Sequence, residues 1–290
     1  MKILLFIILV LNVYSNVSDQ KINLEKDQWI GLGFFLAPYE LNKIPKYYKQ
    51  CYSNDRFFLK LPYNSYHHKI LSAVKWHKDV LELKTESGEP IYCKQSSKGI
   101  IEELIFYKDL LHAKKKYINT TFWTKQNFMY VHDRKRRVKK YKTPRFQALK
   151  VKKVDLAPVH ENHSIRIHLE TEKGLPGFFD ISYTGVNRVG EIEGLKEYFF
   201  LQDPRVVFGM NNDIFKHVIN KNVVIGMTIE QVLLTIGKPK KFYQNNHNTT
   251  LLYYNKIQDN EIEYHFYKKR LTNIVDIADD EWNSDEFGEL

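Results

Sequence analysis

Two cysteines, eleven histidines and a run of seven cations are the side chains of this 290-residue sequence whose types invite chemistry. Cys51 and Cys93 either close a disulfide or stand apart as small buried thiols, because spacing alone does not supply the Cβ geometry that a bridge needs. A thiol nucleophile would want a histidine in a recognisable catalytic setting, and neither cysteine has one. The histidines do not converge. His67 and His68 are adjacent, so on a strand they point to opposite faces, and His163 and His168, five apart, do the same. A metal needs three or four convergent ligands, and the sequence holds neither His-Glu-x-x-His nor Cys-x-x-Cys. It also lacks a Gly-x-Ser-x-Gly elbow and a phosphate-cradling loop. No catalytic residue, cofactor or metal is therefore expected.

The cations are Arg134, Lys135, Arg136 and Arg137, followed by Lys139, Lys140 and Lys142. They read either as a contact for a polyanion or an anionic lipid, or as the solvated tip of a hairpin that follows Phe128-Met129-Tyr130-Val131. The formal net charge of +10 favours anionic partners generally. The chain opens Met1-Lys2, then runs apolar from Ile3 to Val13 before Tyr14-Ser15. That is the pattern of a signal peptide cut after Ser15, and it is too short to span a bilayer comfortably, which takes roughly 20 residues. No cysteine follows it, so no lipid anchor is expected there. An exported protein is not expected to meet nucleic acid, and no transmembrane helix is expected in the mature chain. Peripheral membrane contact stays open.

The elements that would position these residues repeat. Leu83-Lys84-Thr85-Glu86-Ser87-Gly88-Glu89-Pro90 matches Leu169-Glu170-Thr171-Glu172-Lys173-Gly174-Leu175-Pro176 at an offset of 86. Trp29 to Phe35 matches Tyr117 to Trp123 at 88, and Phe106 to Asp109 echoes Phe200 to Asp203 at 94. Val80 to Lys84 and Ile165 to Leu169 alternate apolar and polar residues, the period of a half-buried strand. Glycine then turns the chain, and Ile91-Tyr92 and Phe178-Phe179 resume it, a hairpin in each copy. Ile70 to Trp76 and Phe146 to Val154 precede these hairpins as further strands. The stretch from Ile100 to Lys116 reads as a helix by its apolar stripe, or in part as a strand by the Phe106 echo.

Towards the C-terminus, Gly226-Met227-Thr228 opens a short helix. Thr228 caps it and Gln231 completes a capping box. Gly237 suits the left-handed position at its end, Pro239 blocks extension, and Ile229, Val232, Leu233 and Ile236 make its apolar face. A preceding helix is expected over Asp213 to Asn220, and strands over Thr250 to Tyr254, Ile262 to Tyr267 and Leu271 to Ile277. This pattern, over about residues 212–277, resembles the BamE/SmpA/OmlA family of bacterial envelope proteins. The resemblance implies an ααβββ domain that works by contact, without chemistry. The family's namesakes carry a lipid on an N-terminal cysteine and are single domains, which this chain does not match.

The expected fold is mainly β with an α+β C-terminal domain: two tandem small β-barrel, SH3-like modules and then the ααβββ domain. The segments are a leader at 1–15, a first module at 27–97, a connector at 98–116, a second module at 117–205, the BamE-like domain at 206–278 and a disordered acidic tail at 279–290. The expected function is that of an exported, periplasmic or secreted, non-catalytic binding or scaffold protein of the cell envelope. Its partner would be an envelope protein, met by strand-edge pairing or groove docking. The alternatives are a cell-wall or polysaccharide-binding module protein, and an exported hydrolase that joins His163 or His168 to carboxylates.

Overall fold

The computed structural model describes residues 25–66, 68–159, 163–183, 194–255 and 260–277. The expected leader, the acidic tail and His67 lie outside the described residues. The chain divides into two compact units, 1–201 and 202–290.

The first unit holds two seven-stranded antiparallel sheets. One contains β1 (Gly33–Leu36), β2 (Tyr47–Tyr52), β3 (Lys60–Pro62), β4 (Ile70–His77), β5 (Val80–Lys84), β6 (Pro90–Lys94) and β7 (Leu104–Phe106). The helix α1 (Tyr107–Tyr117) follows. The second sheet contains β8 (Thr121–Thr124), β9 (Phe128–His132), β10 (Val138–Lys142), β11 (Ala148–Leu156), β12 (Ile165–Thr171), β13 (Pro176–Ile181) and β14 (Phe199–Phe200). The spatial orders are β3-β2-β6-β5-β4-β1-β7 and β10-β9-β13-β12-β11-β8-β14. Raising each strand number of the first order by seven gives the second.

The likeness extends to single hydrogen bonds. Gly88 N donates to Thr85 O and Glu89 N to Thr85 Oγ1, while Gly174 N donates to Thr171 O and Leu175 N to Thr171 Oγ1. Both glycines have positive φ, +83° and +76°, which an L side chain resists. Ala73 N bonds Leu32 O as Val151 N bonds Thr120 O, both at 2.9 Å. A register shift falls between Ala73 and Lys75 in one sheet and between Val151 and Lys153 in the other. Leu83 and Leu169 thus occupy equivalent, buried settings. The third echo is displaced by one: Ile105 pairs with Phe35 as Phe200 pairs with Trp123, an offset of 95.

The segment 98–116 supplies both elements proposed for it, β7 and then α1. β1 and β7 are buried on both faces. Phe34, Leu36, Leu104 and Phe106 join the core of the first sheet, and Phe35 and Ile105 join that of the second, together with Leu110 and Ala113 of α1. Burial on both faces explains the unbroken apolar run Phe34-Phe35-Leu36.

Cys51 and Cys93 are directly opposed on β2 and β6, with Cα atoms 4.2 Å apart, and form a disulfide. By strand position Met129 and Phe179 stand in their place in the second sheet, both buried. Gly177 makes room for Met129, since a Cβ there would collide with its sulfur.

The second unit contains α2 (Asn212–Ile219), α3 (Ile229–Ile236) and a sheet in the order β15 (Lys241–Asn245), β16 (Asn248–Asn255), β17 (Asn260–Tyr267), β18 (Arg270–Ile277). The sheet has four strands where three were expected. The strand not anticipated, β15, is an edge of Lys241, Phe242, Tyr243, Gln244 and Asn245 with no alternating apolar face to announce it. Thr228 caps α3 with the expected capping box: Gln231 N donates to Thr228 Oγ1 at 3.2 Å and Thr228 N to Gln231 Oε1 at 2.9 Å. Gly226 has φ +90° and donates to Leu271 O, and Met227 is fully buried. Gly237 ends the helix at φ +91° and ψ −157°, an extended positive-φ conformation rather than the left-handed helical one expected. Pro239 follows two residues later. The buried side of α3 is Gln231, Val232 and Thr235, while Ile229, Leu233 and Ile236 are half-buried. Gln231 turns inward because its Nε2 donates to Phe208 O at 2.9 Å.

Candidate functional site

β9 and β10 form a hairpin at one edge of the second sheet, and every residue of β10 is exposed. The tip is closed by Asp133 N to Arg137 O at 2.9 Å and Arg136 N to Asp133 O at 2.8 Å. The Asp133 carboxylate is engaged within it. It accepts from the backbone of Lys135 and Arg137 and from Arg137 Nε, each at 2.9 Å, with Lys139 Nζ at 3.4 Å. The Arg137 backbone donor, aided by the side chains of Arg137 and Lys139, holds this carboxyl well below the usual range. The one acid of the tip is thus matched by the tip's own cations, and Arg134, Lys135, Arg136, Lys140 and Lys142 remain exposed. Lys140 Nζ also sits 4.6 Å from the Phe128 ring centroid.

The base of this hairpin is anchored by residues that are distant in sequence. His132 Nε2 lies 3.2 Å from Glu40 Oε2, and its ring stacks on Phe178 with centroids 4.8 Å apart. Arg166, its side chain 8% exposed, places its guanidinium 3.9 Å from the centre of the same Phe178 ring. It donates to both oxygens of Asp180 at 2.7 Å and to Glu40 Oε1. Burial opposes ionisation of Glu40, but the hydrogen bond and charge of Arg166, with those of His132 behind them, hold its carboxyl below the usual range. Burial also works against the Arg166 cation, and Asp180 and Glu40 outweigh it to raise its pKa. Val159 N donates to Pro38 O at 2.7 Å, a second tie between the segment after β1 and the second half of the unit. No local motif announces this cluster. Its only trace in the sequence is the polar position of Arg166 between Ile165 and Ile167.

Other polar groups lie apart from the hairpin cations. His168 Nε2 is 3.5 Å from Asp155 Oδ2, and Lys153 Nζ is 2.5 Å from the same oxygen. Burial opposes ionisation of Asp155, but His168 and Lys153 lower its carboxyl to about 2. His163 precedes the strand that carries His168. Glu103, 1% exposed, accepts from the Tyr39 hydroxyl, from Lys49 N at 2.6 Å and from Gln50 N at 2.7 Å. Burial raises its carboxyl above the usual range against those three donors. A cleft of about 290 Å³ lies beside it, lined in part by Lys49, Lys94, Ser96 and Glu102. Among the described residues no group of three or more His, Cys, Asp or Glu could hold a metal ion, and no helix is long and apolar enough to cross a membrane.

The arrangement can present a fixed cationic edge to an anionic partner. No family model matches this chain, no curated protein matches it, and no solved structure matches it.

Proposed function

We propose that this chain is an exported, non-catalytic binding protein of the cell envelope, and that the cationic hairpin of β9 and β10 is its contact for an acidic envelope polymer. The observation that carries the reading is the exposure of all of β10, with the acid of the adjoining tip already matched. Lysines on an edge strand discourage strand addition by another chain. Charge docking therefore fits this edge better than edge pairing does. The disulfide supports an oxidising compartment, as export through a leader at 1–15 would provide. In the same reading the two sheets are SH3-like modules. The capped helix and sheet of the second unit serve as a BamE-like protein-contact module.

The test is retention of the chain on isolated cell-wall material in rising salt. Wild type is retained at low salt and released as salt rises. The variant R134Q/K135Q/R136Q/K140Q is released at lower salt; Arg137 stays, because it holds Asp133 and with it the turn. Equal retention of the two proteins would end this proposal.

A further inference from the structure

Beside the hairpin tip lies a turn that carries exposed apolar side chains. Lys43 N donates to Glu40 O at 2.8 Å and closes it. Leu41 within the turn is 54% exposed, and Ile44, the residue directly after it, is 48% exposed. Single exposed apolar residues are ordinary on any surface; the placement of these two is what gives them meaning. Glu40, the first residue of the turn, is held by buried Arg166 and by His132, the residue before Asp133 of the cationic tip. The contacts of Glu40 set the turn next to the tip, and Lys43, which closes the turn, is an exposed cation.

From this juxtaposition we propose that the turn and the hairpin tip form one peripheral docking surface for an anionic phospholipid bilayer. Arg134, Lys135 and Arg136 meet the acidic headgroups, and Leu41 and Ile44 enter the boundary between headgroups and acyl chains. The proposal rests on the reading of the hairpin as a polyanion contact and narrows it to one polyanion. A soluble acidic polymer rewards only the cations. A bilayer also rewards burial of the apolar pair, and stable attachment to a membrane takes two such signals together.

The experiment is co-sedimentation of the full chain with vesicles of phosphatidylglycerol and phosphatidylcholine in equal parts, and with phosphatidylcholine alone. Wild type and variants share one N-terminus, so its contribution cancels. L41S/I44S is expected to lower partitioning to the anionic vesicles by about tenfold and to leave retention on an anionic polysaccharide column unchanged. R134Q/K135Q/R136Q is expected to lower both, the vesicle partitioning by about a hundredfold. The Leu41→Trp variant, measured as the difference from wild type, is expected to blue-shift its added indole emission on anionic vesicles and to be quenched by brominated lipid. Unchanged vesicle binding by L41S/I44S, or an unshifted difference emission from Leu41→Trp, overturns the proposal and leaves a polymer contact alone. Loss of neither vesicle nor column binding in R134Q/K135Q/R136Q removes the hairpin reading beneath it as well.

Discussion

Arg166 carries more of the first unit's geometry than any local pattern around it foretells. It is buried, holds Asp180 with two hydrogen bonds, and pins Glu40 from 126 residues away. Replacing one partner of such a group leaves the others charged and out of water, at a cost of about 3–5 kcal/mol. Arg166→Met should therefore lower unfolding stability at pH 7 by about that amount in urea titrations. The pH dependence has a definite sign. A carboxyl held below its unfolded value adds stability above that unfolded value, and the gain is lost as pH falls through the folded one. Wild type loses the Glu40 contribution in acid, whereas the variant gains when the unpaired Glu40 takes up a proton. The gap between the two proteins should close as pH is taken down through the carboxylate range. A gap constant with pH would place the effect in packing on Phe178 instead. Sequence showed the polar position of Arg166 in its strand, but no short-range signal can pair it with Glu40.

At the scale of the element, some signals are local and others are not. The helix after Gly226 was legible because its start and stop are written in adjacent residues, Thr228 with Gln231 and then Gly237. Thr228→Ala should cost about 1 kcal/mol of stability through the lost cap, read as a shift of the denaturation midpoint. The orientation of that helix was not legible. Gln231 is drawn inward by Phe208 O, a partner 23 residues away, so the buried side includes two polar residues. The hairpins were legible from period-two alternation and glycine turns, but the role of Gly177 was not. A Cβ added there would collide with Met129, which stands where the other sheet has Cys51. Gly177→Ala should cost about 1–3 kcal/mol by overpacking. In a double-mutant cycle with Met129→Ala most of that cost should vanish, since the smaller side chain vacates the space. Additive costs would assign the effect to the Tyr130 carbonyl of β9, which the added Cβ would meet at 3.0 Å.

At the scale of the whole molecule, the repeat was readable because sequence identity survived at the turns, where glycine and threonine are fixed by geometry. What joins the two sheets within the first unit was not readable, since it consists of apolar residues that read alike on either face. Phe34 and Leu36 belong to one core while Phe35 belongs to the other, and Ile105 on β7 follows Phe35. This interleaving decides what the disulfide does. Its 42-residue separation corresponds to about 4 kcal/mol of loop-closure entropy removed from the unfolded chain. If the sheets were independent modules, reduction would weaken the first sheet alone. Because Phe35 and Ile105 help to fill the second core, opening the first sheet strips that core as well. Hydrogen exchange before and after reduction discriminates. Core amides of β12 and β13 should lose protection together with those of β5 and β6, by about a thousandfold. A C51A/C93A chain should show the same lowered protection and no response to reductant. Protection that falls in β5 and β6 but holds in β12 and β13 would show that the two cores open separately, despite the strands they share.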